Sequence, residues 1–225
     1  MRTVAELLID RVYRGPDDSA NGGYACGRIA ALAAEPVEVT LRRPPPLGVP
    51  LRVEDGRVTD GDALVAEYRA GDVQLDVPPA PAWEDAVEAQ RPDVGSPFPH
   101  CFVCGVRRAP DEGLHIHAGP IGATRIVAAP WVPRPGTAAP EFVWCALDCP
   151  GAYACDLGSR GTLLLGRLAA RVLRTPRPGE RCVVAGWQLG AEGRKLEAGT
   201  ALWSDGELLG YARATWIEPR PTGAA

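Results

Sequence analysis

The chain repeats its own phrasing. Gly23-Tyr24-Ala25-Cys26 in the first half is answered by Ala152-Tyr153-Ala154-Cys155 in the second. Each is followed by an apolar stretch and then by an arginine-proline phrase. These phrases are Leu41-Arg42-Arg43-Pro44-Pro45-Pro46-Leu47-Gly48 and Leu173-Arg174-Thr175-Pro176-Arg177-Pro178-Gly179. Alternating strand-like segments come next, Leu51-Arg52-Val53-Glu54 and Arg181-Cys182-Val183-Val184. A further strand then pairs Ala63 to Arg69 with Lys195 to Trp203, and the second half adds Glu207 to Ile217 through the turn Ser204-Asp205-Gly206. Matching order over this span reads as an internal duplication, with two unrelated domains of similar composition as the alternative.

Each half runs helix first, then period-2 strands joined by Gly/Pro turns. The first helix is expected over about Gly22 to Ala34 and is rich in glycine and alanine, so other backbone can pack close to it. The second is expected over about Ala139 to Cys155, with Pro140 near its first turn, where a missing N–H costs nothing. Pro150 lacks the N–H that would reach the carbonyl of Ala146, so this helix should kink or stop there. Strands that follow a helix and are joined by hairpins favour an antiparallel sheet wrapped around it, an α+β architecture. The expected organisation is a domain over 1–77, a Pro-rich linker over 78–99 with a short amphipathic piece around Trp83 to Gln90, a second domain over 100–218 and a tail over 219–225.

Composition removes several classes of function. The chain has 28 acidic against 24 basic side chains, a net charge of -4, and Lys195 as its one lysine. Without a basic cluster it is not expected to bind nucleic acid, where affinity depends on neutralising phosphates. No apolar run approaches the roughly 20 residues that span a bilayer, and Glu6 and Asp10 interrupt the apolar start, which argues against a secretory signal. Seven cysteines, an odd number in a chain with a full core, point to a reducing cytoplasm and unpaired thiols. No Gly-rich phosphate loop occurs, so no nucleotide cofactor is expected. All three histidines, His100, His115 and His117, share one segment, whereas Ser19, Ser96, Ser159 and Ser204 lie in loop-like sequence. That spread does not suggest a Ser-His-Asp hydrolase.

One helix held in a curled antiparallel sheet, twice in tandem, resembles the double-hotdog arrangement of acyl-CoA thioesterases. The residues that carry the likeness are Asn21-Gly22-Gly23-Tyr24 opening the first helix, Leu41-Arg42-Arg43-Pro44 after the next strand, Cys101-Phe102-Val103-Cys104-Gly105 and Gly113-Leu114 ahead of the second helix, and Ala146-Leu147-Asp148 within it. The resemblance implies hydrolysis of an acyl thioester, acyl-CoA or a related one, at a site that takes glycine amides from one helix and an acid from the other. Transferred residue by residue, the catalytic set is Gly22, Gly23 and Asp148. The substrate-lining set is Asn21, Tyr24, Glu141 and Trp144. A mirror site is not expected, because the second helix opens Ala139-Pro140-Glu141-Phe142 and the first holds no acid before Glu35. Where the family carries a Thr or Ser and a Gln on strands of the second half, this chain reads Leu163-Leu164-Leu165-Gly166 and Arg213-Ala214-Thr215. A non-catalytic acyl-CoA-binding module is therefore the second reading, and a scaffold for a protein partner the third. Whether the chain forms a homodimer stays open.

Each candidate also has a plainer reading. Asp148 could instead bond the N–H groups freed at the Pro150 break, and Glu141 could be a favourable charge at a helix N-terminus. Tyr24 and Trp144 could be core rather than the wall of an acyl tunnel. Arg42, Arg43, Arg174 and Arg177 could meet coenzyme A phosphates or sit solvated in turns. Cys101 and Cys104 with His115 and His117, the latter pair expected on one side of a strand, offer four zinc ligands in principle. The resemblance treats Cys-x-x-Cys-Gly as a structural lead-in, so no metal and no cofactor are expected there. Cys145, Cys149 and Cys155 are expected to be core thiols.

Overall fold

The computed structural model describes residues 4–92, 96–156 and 160–220. Residues 1–3 of the expected first domain, 93–95 of the linker, Ser159 and residues 221–225 of the tail lie outside the described residues. The first half contains β1 (Ala5–Leu7), a 3-10 turn at Arg11–Tyr13, α1 (Gly22–Ala30), β2 (Val37–Leu41), β3 (Leu51–Glu54), β4 (Arg57–Asp60) and β5 (Ala63–Ala70). After α2 (Trp83–Ala89) the second half contains β6 (Gly119–Pro120), β7 (Ile126–Trp131), α3 (Pro140–Ala146), α4 (Cys149–Ala154), β8 (Leu164–Val172), β9 (Cys182–Glu192), β10 (Lys195–Ser204) and β11 (Glu207–Ile217).

All eleven strands form one antiparallel sheet in the order β1-β3-β4-β5-β2-β8-β11-β10-β9-β7-β6. The halves meet at β2–β8, with Glu38 opposite Ala169, Val39 opposite Leu168 and Thr40 opposite Arg167. Read outward from that seam the order is palindromic, for β5 answers β11, β4 answers β10 and β3 answers β9. The expected pairing of Ala63–Arg69 with Lys195–Trp203 is thereby corrected. β4 takes the place matching β10, and Glu207–Ile217 is no extra strand but the counterpart of β5. The tight hairpins turn where the sequence permits positive φ, at Asp55-Gly56 (48° and 76°) and Asp205-Gly206 (47° and 80°).

Burial follows the pleat. In β3, Leu51 and Val53 are buried and Arg52 is exposed, whereas β10 is buried continuously from Ala198 to Ser204 because helices cover both of its faces. The inner face packs on α1, α3 and α4 in the main core. A second cluster of Ala86, Ala128, Val183, Ala185, Ala201 and Trp203 places α2 on the opposite face, so part of the expected linker is a packed helix. Among the described residues no helix is long and apolar enough to cross a membrane.

Helix one ends at Ala30, short of the expected Ala34, and the expected second helix is two helices broken at Leu147-Asp148. Tyr24 occupies the first turn of α1 but Tyr153 the last turn of α4, so the two Tyr-Ala-Cys phrases sit at opposite helix ends. The positional match is between the caps, Asn21 for α1 and Ala139 for α3. The second half spends more residues between its cap and its seam strand than the first does, and that excess is α4. α1 and α3 approach closely because of glycine. A Cβ on Gly27 would lie 2.9 Å from Glu141 Cα, and one on Gly23 would lie 2.8 Å from the Trp144 carbonyl oxygen.

Candidate functional site

Asn21 caps α1 in the ordinary way, its Oδ1 accepting the Tyr24 N–H at 2.9 Å. This fixes the amide so that Nδ2 points away from the helix, where it donates to Asp148 Oδ2 at 2.8 Å. The same oxygen accepts the Gly23 N–H at 3.0 Å. Gly23 has to be glycine for this, since a Cβ there would fall 2.5 Å from Asp148 Cβ. The acid of one half is therefore held by the helix N-terminus of the other, where free N–H groups and the dipole favour negative charge.

Asp148 stands in the break between α3 and α4, and its side chain makes no capping bond to α4. The break is instead served by backbone bonds, Asp148 N–H to the Cys145 carbonyl at 3.2 Å and Gly151 N–H to the Asp148 carbonyl at 3.0 Å. The carboxyl is 2% exposed, and Oδ1 is buried with no hydrogen-bond partner among the described residues. Burial pushes its pKa from 3.8 up to about 7, against the Gly23 N–H that favours the ionised form. A carboxyl so placed can exchange a proton near neutral pH.

Asp148 lines a cavity of about 290 Å³ at this seam, together with Asn21, Gly22, Cys149, Leu165 and Trp216. Gly22 has its N–H at the helix terminus beside that space, unclaimed by any acceptor among the described residues. Gly23 departs from the role expected of it, because its N–H is already given to the carboxylate. Tyr24, Glu141 and Trp144 do not line the cavity. Tyr24 stacks on Tyr13 with ring centroids 3.9 Å apart, and its hydroxyl accepts from Arg28 at 3.2 Å. Glu141 and Trp144 pack against Gly27 between α1 and α3. Arg42 and Arg43 line the cavity, with Arg42 paired to Glu67. Arg174 is drawn off to Glu180 and Glu207, while the Arg177 N–H caps Glu180.

The cysteine arrangement departs from the four-ligand set with His115 and His117, while Cys101 and Cys104 are buried free thiols. The sulfurs of Cys101, Cys104 and Cys149 lie within 4.8 Å of one another, all buried, and all three residues line the cavity. Hydrogen bonds from the Cys104 and Cys149 thiols hold the Cys101 thiol well below its ordinary pKa. Neither His115 nor His117 belongs to this group. The segment that carries them is irregular, with His115 at φ 55° and its Nε2 3.0 Å from the Ala109 carbonyl, so the expected strand with both rings on one side does not form. His117 Nε2 is buried without a partner among the described residues, and burial lowers its pKa. Sequence reasoning missed Cys149 as a partner of the pair, since 44 residues of chain separate it from Cys104 and no spacing rule links them. It also missed Trp216, a cavity-lining residue whose indole nitrogen would lie 2.9 Å from a Cβ on Gly151.

No protein-family model matches the sequence, and no curated protein matches it. Solved structures do. A protein of unknown function with a hot dog fold from Alicyclobacillus acidocaldarius superimposes with a TM-score of 0.64 at 11% identity, over 98% of this chain and 94% of that one. The chain has the hotdog fold. An acyl-CoA thioesterase II, TesB2, from Mycobacterium marinum matches this hotdog chain with a TM-score of 0.61 at 13% identity, over 92% of each chain. The tesB protein of Mycobacterium avium subspecies paratuberculosis gives 0.60 at 14% identity, over 97% of this chain and 93% of its own.

Proposed function

We propose that the chain is a double hotdog, halves 1–77 and 100–218 joined by the linker 78–99, that hydrolyses an acyl thioester at one composite site. The observation that carries the reading is the buried Asp148 carboxyl on the cavity wall, one oxygen held by Asn21 and Gly23 of the first half and the other without a partner among the described residues. In this reading Asp148 is the catalytic base, Gly22 the oxyanion donor, and Asn21 and Gly23 position the base. Asp148 takes a proton from water and the hydroxide adds to the thioester carbonyl carbon. The Gly22 N–H meets the oxyanion that forms, much as backbone amides do elsewhere. The C–S bond then breaks, the thiolate leaves with the proton Asp148 accepted, and a carboxylic acid remains.

Acyl-CoA is the preferred substrate. Leu163, Leu164 and Leu165 supply an apolar wall for an acyl group, and Arg42 and Arg43 supply positive charge for phosphates on the same cavity. The name of the Mycobacterium marinum neighbour, an acyl-CoA thioesterase II, supports the same class. The cysteine usage and charge suit a cytoplasmic setting. The test is incubation with a series of acyl-CoAs of rising chain length, following free coenzyme A by chromatography so that the chain's own seven thiols do not enter the readout. Asp148→Asn should lower turnover on the order of 100-fold or more. Unchanged turnover in that variant would remove the carboxyl from the chemistry. A second reading, an acyl-CoA-binding module, is favoured by leucines and Gly166 on the cavity wall where a polar set would assist attack. Saturable binding of acyl-CoA with no release of coenzyme A would select it.

A further inference from the structure

We infer that Cys101, Cys104 and Cys149 form a binding site for a thiophilic divalent cation, zinc(II), with an open fourth position facing the cavity. Zinc–thiolate bonds of about 2.3 Å in a tetrahedron set the sulfurs about 3.8 Å apart. Cys101 Sγ and Cys149 Sγ are 3.8 Å apart, and the third sulfur lies within 4.8 Å of both. A disulfide would need about 2.05 Å, so this is the spacing of ligands rather than of a bond.

The backbone is shaped for the same purpose. Cys101-Phe102-Val103-Cys104-Gly105 closes a tight knuckle in which the Gly105 N–H donates to the Cys101 carbonyl at 2.9 Å. A Cβ on Gly105 would fall 2.5 Å from that carbonyl oxygen, so the turn requires glycine. Cys149 enters from the first position of α4. Polar groups surround the sulfurs as they would surround bound thiolates. Asn21 Nδ2 is 3.8 Å from Cys101 Sγ, Ser96 Oγ is 3.7 Å from Cys104 Sγ, and Arg108 Nε donates to the carbonyls of His100 at 2.9 Å and Cys101 at 3.2 Å. The guanidinium supplies positive charge beside a centre that three thiolates and a dication leave at net minus one.

Three protein ligands with a vacancy toward a pocket is the pattern of a zinc that holds water or takes up a ligand, not of a closed structural site. Because all three cysteines line the cavity, the fourth ligand would come from it, next to the residue that precedes Cys149 in the chain, Asp148. The inference needs no thioesterase activity and stands or falls separately from it.

The test measures metal in the intact chain. Protein purified under reducing conditions, supplied with zinc(II) and desalted, should hold about one equivalent by elemental analysis. Cobalt(II) in its place should give intense tetrahedral d–d bands and sulfur-to-cobalt charge-transfer absorption. Cys104→Ser and Cys149→Ser should each lose most of the zinc, while Cys182→Ser, whose buried thiol lies against the Glu180 carbonyl elsewhere, keeps it. Circular dichroism checks that the variants fold, and the cobalt spectrum of the unaltered chain decides the matter even where they do not. The inference is overturned by wild-type protein that holds no zinc, by a cobalt complex without thiolate absorption, or by a disulfide between Cys101 and Cys149 in the unreduced chain.

Discussion

Replacing Asp148 by Asn should make the protein more stable above neutral pH and, if this carboxyl is the base, a far slower enzyme at the same time. The amide keeps an oxygen for the Asn21 and Gly23 donors and carries no charge into the core. The size of the gain follows from the carboxyl's own titration. It ionises near 3.8 when unfolded and near 7 when folded, because burial opposes the charge. Between those values the folded chain holds a proton that the unfolded chain has released, so stability falls as pH rises. The full cost, complete above pH 7, is about 4 kcal/mol at about 1.4 kcal/mol per pH unit. Part of it is already present at pH 5, and the two units from 5 to 7 add the larger share, about 3 kcal/mol. Urea unfolding of both proteins at pH 5 and pH 8 measures this. The stability of Asp148→Asn relative to wild type should rise by about 3 kcal/mol between the two pH values, with no change in the urea m-value. A difference between the proteins that is independent of pH would refute the burial of the Asp148 carboxyl as the source of the cost.

Other consequences are as specific. If Asp148 is the base, kcat/KM should climb with pH through an apparent pKa of about 7 and then level, since only the ionised form accepts a proton; a profile flat from pH 5 to 9 contradicts this. Gly23→Ala forces a methyl group to within 2.5 Å of Asp148 Cβ, which should cost about 1–3 kcal/mol by overpacking and lower turnover as well. Thermal unfolding together with an acyl-CoA assay would register both losses. Thr200→Val removes the buried hydroxyl that donates to the Leu147 carbonyl at 2.7 Å, at the break that presents Asp148. It should cost about 1–3 kcal/mol in urea unfolding by leaving that carbonyl unpaired. Arg43→Ala should raise KM for acyl-CoA without altering kcat, if this cavity-lining arginine meets phosphate rather than the reacting carbonyl.

What could be read from the sequence was local or repetitive. The Gly-Gly after Asn21 marks a helix terminus, and Pro150 marks a break in a second helix, because caps and prolines act over a few residues. The lone acid beside that break stood out against apolar neighbours. What escaped was set by tertiary contact. Which Gly amide binds the carboxyl depends on how α1 and α3 cross, a matter of Gly23 and Gly27 fitting against Trp144 and Glu141. Tyr24 has the composition of a pocket residue but finds a better partner in Tyr13. The cysteine pair could be seen in the sequence, yet its third member was not, since the fold and not the spacing brings α4 to the knuckle.

The short helix that distinguishes the two halves has an outsized consequence. Asp148 and Cys149 are neighbours at its start, so a buried carboxyl and a buried thiol enter the seam on a single stretch of backbone. The same stretch is part of the main core, since Cys149 and Ala152 are buried in it, so the feature that sets the halves apart is also one the second half needs in order to pack. An engineer could graft those few positions onto another hotdog scaffold and ask whether hydrolysis or zinc binding appears with them.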